Sequence, residues 1–299
     1  MASQVIGVIG STGAQGFSVV QSLLEQFPVR AFTRTPEKLQ QLTSNPNFSA
    51  VQLDPADHAA VKASLKGVWA LFVNTFSDYT QPIGAEERQG KAIVDAAVEA
   101  GVEWLVYSAL PENMPFRAFE EKAKVMKYAR EVGKTSNLKP IFVQLGYYMS
   151  NFVFSKPVLN PSDGFVEFRW PVLDAQTYFP LIATQSDLGP IVKAVFQNLE
   201  EYKGVEIPIV GETLTLTQVA EIYGKVYNVP TRAVYLPGAP AQELFPGWTQ
   251  MHAAFKTDGY FPAYKGREGE ISQKVKKLYP GVKTWEAWLK EVGLEYVKN

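Results

Sequence analysis

The sequence predicts an α/β fold: a doubly wound parallel sheet of Rossmann type with a smaller C-terminal α+β lobe. Three observations predict it. From Val5 to about Gly146, short apolar β-rich runs alternate with helical patterns, the signature of successive βαβ units. The first run, Val5 to Ile9, leads into a glycine-rich turn, Gly10-Ser11-Thr12-Gly13-Ala14-Gln15-Gly16, that opens a helical stretch from Phe17 to Gln26. After Gly146 the alternation loosens, aromatics cluster, and prolines appear at Pro157, Pro161, Pro171 and Pro180. Residues 1–150 are therefore assigned to the sheet domain and 151–299 to a lobe interleaved with it.

In chain order, strands are expected at Val5 to Ile9, Val29 to Thr33, Phe48 to Leu53, Val68 to Asn74, Trp104 to Ser108 and Ile141 to Leu145. Helices should lie between them. The clearest runs from Ala85 to Ala100, where Ile93, Val94, Ala97 and Ala100 share a face and Gly101 stands at the expected stop. Another, Phe116 to Val132, sets Phe119, Lys122, Met126 and Ala129 on one stripe and ends at Gly133. Helical patterns return at Leu188 to Leu199 and at Leu216 to Tyr227, the latter opened by Thr215-Leu216-Thr217-Gln218, which reads as a capping box. Short strands at Val205 to Val210 and Ala233 to Leu236 accompany them. The stretch Pro237 to Pro262 is expected to wrap a pocket or close over it, and Trp285 to Val292 to dock as a terminal helix through Trp285, Trp288 and Leu289.

Composition narrows the chemistry. At 299 residues the chain can bury a sizeable core, and it has no cysteine, which excludes disulfides, thiolate catalysis and cysteine-ligated metals. The 29 basic and 30 acidic residues leave a net charge of −1, so the general attraction that drives nucleic-acid binding is missing. The only histidines, His58 and His252, have no metal-ligand spacing, and no metal is expected. No secretory signal pattern and no apolar run of membrane-spanning length is present, so the expectation is a cytoplasmic protein, with nuclear access open.

A strand, a glycine turn and a helix N-terminus in that order converge backbone N–H groups and the helix dipole on one point, which suits a pyrophosphate. Gly10 permits the turn, Gly13 lets the backbone approach the phosphate, and Gly16 lets helix and strand lie close. At the end of the second strand, where an acid would bind a ribose 2′-OH, the sequence has Thr33-Arg34 with Lys38 a turn later, which favours the 2′-phosphate of NADP(H). Asp54 and Asn74-Thr75 follow the third and fourth strands, where a ligand is faced; loop capping is the other reading of Asp54. Arg88 either reaches a phosphate or pairs with Glu86 or Glu87 in solvent. Ser108 closes the fifth strand and Lys122 lies on the helix after it, both in reach of a nicotinamide. A lysine on the stripe of Phe119 and Met126 either snorkels or is held inside by a ribose hydroxyl or substrate. Tyr147 and Tyr148 either face a substrate or pack.

These residues resemble the NmrA-like atypical short-chain dehydrogenases. The likeness rests on the glycine turn, Thr33-Arg34 with Lys38, Glu87-Arg88-Gln89-Gly90-Lys91, Ala100-Gly101-Val102 and Val106-Tyr107-Ser108. It continues through Phe119-Glu120-Glu121-Lys122, Gly146-Tyr147-Tyr148-Met149-Ser150-Asn151-Phe152 and Gly211-Glu212-Thr213-Leu214-Thr215. The resemblance implies an NADP(H)-binding Rossmann domain with Gly10, Thr12, Gly13, Gln15 and Gly16 on the pyrophosphate, Arg34 and Lys38 on the 2′-phosphate and Asp54 near adenine. Asn74, Thr75 and Lys122 would face the ribose and nicotinamide. In classical short-chain dehydrogenases a proton-donating tyrosine precedes the lysine by four residues; Ala118 stands there in this chain. Relatives similar to isoflavone reductase also lack it and use a lysine that Lys122 resembles by position.

Three readings follow. The first is an NADPH-dependent oxidoreductase for an apolar aromatic or quinone-like molecule, with Lys122 orienting the ribose or acting as acid and Tyr147 or Tyr148 assisting. Its substrate class is motivated by Phe152, Phe154, Trp170, Tyr178, Phe179 and Trp248. The second is a non-catalytic NADP(H) sensor that regulates a protein partner such as a transcription factor. The third is a protein that keeps the cofactor for stability alone.

Overall fold

A computed structural model describes residues 4–112, 114–236, 238 and 246–298. Within it β1 (Val5–Ile9), β2 (Val29–Thr33), β3 (Phe48–Gln52), β4 (Val68–Val73), β5 (Trp104–Ala109) and β6 (Lys139–Leu145) form one sheet, joined by β11 (Glu206–Ile209). The order is β11-β6-β5-β4-β1-β2-β3. Neighbours from β6 to β3 run parallel, with Gly7 paired to Arg30 on one side and Leu71 on the other. The chain winds outward from β1 to β3, then crosses back to β4. This doubly wound order puts the topological switch point at the carboxyl ends of β1 and β4, where such sheets bind ligands.

All six residues of β5 are buried, as a parallel strand covered on both faces requires, whereas edge strand β3 exposes Ser49 and Ala50. Helices α1 (Ala14–Leu23), α2 (His58–Ser64), α3 (Ala85–Glu99) and α4 (Arg117–Thr135) cover the sheet, and α5 (Thr184–Gln197) and α6 (Leu199–Tyr202) belong to the same compact unit. That unit takes the described residues of 1–112, 117–144 and 185–207, so it draws a helix pair back from beyond residue 151. Helix α4 does not stop at Gly133. It runs two residues further because Gly133 serves close approach rather than termination: a Cβ there would lie 2.8 Å from Pro140 Cδ and 3.0 Å from the Leu138 carbonyl. Gly101, with φ +77°, does follow the end of α3 as a left-handed stop.

The second unit takes the described residues of 113–116, 145–184 and 208–299. Here β7 (Tyr147–Tyr148), β10 (Tyr178–Ile182) and β12 (Glu212–Thr215) form one small sheet, in the order β12-β10-β7. A second contains β8 (Val158–Leu159), β9 (Val166–Pro171), β13 (Thr231–Leu236) and β14 (Val297–Lys298). Helix α7 (Leu216–Tyr227) opens with the expected capping box, Thr215 and Gln218 each bonding the other's backbone N–H. After α8 (Trp248–Asp258) and α9 (Gly269–Leu278), α10 (Trp285–Val292) docks through buried Trp285, Trp288 and Leu289. The Trp285 Nε1–H reaches the Val219 carbonyl at 3.1 Å. The aromatic supply expected to line a pocket is mostly core: Phe152, Trp170, Phe179 and Trp248 are buried, leaving Phe154 and Tyr178 exposed. Of the stretch Pro237 to Pro262, residues 237 and 239–245 lie outside the described residues.

Candidate functional site

At the end of β1, Gly10 takes φ +84° and its carbonyl accepts the Gly13 N–H at 3.1 Å, closing the turn. Gly13 is the N-cap of α1 and has no side chain to cap it; a Cβ there would find one atom within 4 Å, the Gly10 oxygen at 3.5 Å. A Cβ on Gly16 would lie 2.2 Å from that same oxygen. The three glycines therefore differ: Gly13 leaves an open approach to the backbone, and Gly16 presses helix on turn. Ser11 donates to the Phe32 carbonyl at 2.9 Å and Thr12 shares a 3.0 Å hydrogen bond with Thr33, tying the turn to β2. Arg34 and Lys38 are exposed, and among the described residues neither forms an ion pair. An open helix N-terminus with unpaired cations at the next strand end fits a dinucleotide bearing a 2′-phosphate.

The other expected residues sort themselves. Asp54 is exposed and accepts the Ala56 N–H at 3.0 Å, the loop-capping arrangement. Ser108 is buried and donates to Gln15 Oε1 at 2.7 Å, so those two side chains hold each other. Arg88 is exposed and pairs with neither Glu86 nor Glu87; Lys91 takes Glu87 at 2.7 Å. Tyr147 packs edge-on against Phe179 at 5.3 Å and beside Phe152 and Trp170, and burial pushes its phenol above the ordinary tyrosine range. Tyr148 points to the other face of the strand and is half-buried. His252 is buried with Nδ1 at 2.8 Å from the Trp248 carbonyl, and burial pulls its pKa down to about 4.

Of the two placements left open for Lys122, snorkelling or held inside, the structure has the second. Lys122 is 6% exposed, and its partners belong to the protein. Nζ donates to the Thr75 carbonyl at 2.8 Å and Thr75 Oγ1 at 3.0 Å, and stands 2.8 Å from Glu86 Oε1. The Thr75 hydroxyl donates to that same Glu86 oxygen at 2.6 Å and accepts from Tyr107 at 3.0 Å, while Ser77 donates to the second Glu86 oxygen at 2.5 Å. Burial first, and the Glu86 charge second, drive the Tyr107 phenol far above its usual range.

One of the two sequence readings of Arg88 puts Glu86 or Glu87 beside it in solvent. Glu86 is instead 4% exposed. The signal existed: Glu86, Gly90, Ile93 and Ala97 recur at helical spacing, so an acid sits on the apolar stripe of α3 as Lys122 does on that of α4. A second carboxylate supports the first. Glu121 accepts the N–H groups of Gly84, Glu86 and Glu87 at 3.0, 2.8 and 3.1 Å, capping α3, and Arg117 Nε at 2.7 Å. Burial alone would raise the Glu121 carboxyl, but the hydrogen bonds from Gly84, Arg117 and Glu87 hold it below the usual carboxylate range. Arg117 also donates to the Gln81 and Pro82 carbonyls, pinning the loop that exposes Phe76 and Ile83.

In the second unit a pocket of about 290 Å³ is lined by Tyr178, Phe255, Tyr260, Phe261 and Lys256. Among the described residues no cluster of His, Asp and Glu could hold a metal, and no helix is long and apolar enough to cross a membrane.

Comparison with known proteins bears on the family and the fold. The oxidoreductase ptmS of Penicillium ochrochloron, described as containing an NmrA-like family domain, is 28% identical over 95% of this chain and 96% of its own. The negative transcriptional regulator NmrA, solved with NADP and also with NAD, superposes in both with a TM-score of 0.79 at 25% identity, covering 98% of this chain and 96% of that one. The NADPH-dependent quinone oxidoreductase QOR2 of Escherichia coli, solved with NADPH, has the same fold: TM-score 0.73, 22% identity, 96% of this chain and 99% of that one. The NmrA-like family matches residues 2–289. The chain belongs to the NmrA-like family.

Proposed function

We propose that this protein is an NADP(H)-dependent oxidoreductase acting on an apolar aromatic or quinone-like small molecule. The observation that carries the reading is the Lys122 ammonium, held inside the protein by Thr75, two residues beyond β4 and next to the switch point of the sheet. The N–H groups of the Gly10 to Gly16 turn would hold the pyrophosphate, with Thr12 and Gln15 shaping it. Arg34 and Lys38 would hold the 2′-phosphate, Arg88 would add positive charge, and Asp54 would border the adenine. Asn74, Thr75, Ser108 and Lys122 would border the ribose and nicotinamide. Bound there, the cofactor supplies a hydride.

The chain's own task is to place an acceptor and manage a proton. Lys122 is paired with a buried carboxylate and so presents a fixed positive charge; it orients a hydroxyl and stabilises negative charge growing on a substrate oxygen. Ala118, one helical turn before Lys122, offers no proton. Phe76 and Ile83, exposed on the pinned loop after Thr75, favour an apolar acceptor. Single-turnover oxidation of bound NADPH across a panel of quinones and aromatic carbonyls tests this: acceleration by at least one supports it, and none in a protein that binds NADPH tightly overturns it.

Ala118 and the likeness to the regulator NmrA favour a second reading, an NADP(H) sensor acting on a protein partner. Pull-downs with and without NADPH separate the two, since a sensor's partner set must change with the cofactor.

A further inference from the structure

The three distances around Lys122 fix the direction of its amine. Thr75 Oγ1 and Glu86 Oε1 lie 2.6 Å apart and 3.0 and 2.8 Å from Nζ, so they subtend about half the tetrahedral angle at the ammonium and share one N–H. The Thr75 carbonyl takes a second. Among the described residues the third has no acceptor. The charges around it are few: Tyr107 from β5 lies with its ring 5.8 Å from Nζ, and Glu121 is engaged with Arg117 and the α3 N–H groups. Arg117 in turn lies 5.7 Å from the Tyr79 ring. Among the described residues Glu86 is thus the one carboxylate paired with Lys122.

We propose that Glu86 is the positioning residue for Lys122: its carboxylate turns the buried amine so that one N–H remains for the ligand. This rests on the reading that Lys122 faces the ribose and nicotinamide. Ser77 fixes the second Glu86 oxygen and Glu121 fixes the helix start that carries it, so the ammonium is held by a chain of set contacts rather than by a mobile ion pair.

The test uses Glu86→Gln, which keeps shape and acceptor but removes charge, with Ser77→Ala as a control that leaves the charge in place. NADPH affinity is followed by fluorescence at about pH 7 in a double-mutant cycle with Lys122→Met, and urea midpoints are read on the same preparations. Lys122→Met weakens NADPH about ten-fold, E86Q weakens it about as much, and adding Lys122→Met to E86Q costs less than about two-fold more, while Ser77→Ala stays within about two-fold of wild type. Losses that add across the two sites mean that Glu86 only packs, and overturn the proposal. A wild type that fails to bind NADPH overturns the proposed function instead, and the urea cycle still reads the pair: midpoint losses that add there overturn the positioning role.

Discussion

Gly13 and Gly16 stand three residues apart in one turn, yet an added methyl should separate binding from folding. At Gly13 the backbone has φ −80°, open to any residue, and the new Cβ meets the Gly10 oxygen at an ordinary 3.5 Å. Alanine is a poorer N-cap than glycine, but it also restricts the unfolded chain, and these terms offset to within about 1 kcal/mol. The methyl projects over the approach to the backbone, so Gly13→Ala should fold normally and bind NADPH at least about ten-fold more weakly, a loss of about 1.4 kcal/mol. At Gly16 the Cβ would lie 2.2 Å from the Gly10 oxygen, 2.7 Å from its carbonyl carbon and 2.8 Å from Ser11 Cα. All three are backbone atoms and cannot rotate away. Relief requires α1 to slide off the turn, so Gly16→Ala should lose about 3 kcal/mol and the cofactor with it. Urea unfolding and NADPH fluorescence titration on the same preparations read both quantities. A Gly13→Ala protein that binds NADPH like wild type would refute the cradle. Equal destabilisation of the two variants would refute the steric argument.

Arg34→Ala, at an exposed residue without an ion pair, should leave stability within about 0.5 kcal/mol and weaken NADPH about ten-fold while sparing NADH; equal losses for both would remove Arg34 from the 2′-phosphate. Arg117→Ala breaks hydrogen bonds to Glu121 and to the Gln81 and Pro82 carbonyls. It should cost about 2 kcal/mol and raise amide exchange in residues 76–84 above the rest of the chain, an outcome that unchanged exchange there would contradict. His252 is buried neutral, so its folded pKa of about 4 lies below the unfolded value of about 6.5, and the unfolded chain binds the extra proton between them. Stability should therefore fall as pH drops through that window, by about 2 kcal/mol between about pH 6.5 and about pH 5; His252→Gln should flatten the slope, and an unaltered slope would locate the titration elsewhere.

The central strands of the parallel sheet were legible to within a residue or two because a strand buried on both faces is a nearly unbroken apolar run, and nothing distant alters that run. The capping box at Thr215 and the docking tryptophans of α10 were legible for the same reason: their partners lie a few residues off, or their size leaves no alternative to burial. Gly133 misled because the same glycine suits a helix stop and a close approach, and only the position of Pro140 separates the two. The second lobe's aromatics misled likewise, since a side chain fit for a pocket wall is equally fit for a core.

The residues by themselves determined the fold class and the glycine turn and set Lys122 on an apolar stripe, since each follows from local pattern; whether that lysine snorkels or stays inside does not. What holds Lys122 was decided by tertiary structure alone. Thr75, Tyr107 and Glu86 come from three elements, and only the packing of α3 against α4, capped by Glu121, brings the acid and the lysine to 2.8 Å. A pattern along one helix sets a charge on an apolar stripe; the partner that makes its burial tolerable lies on another.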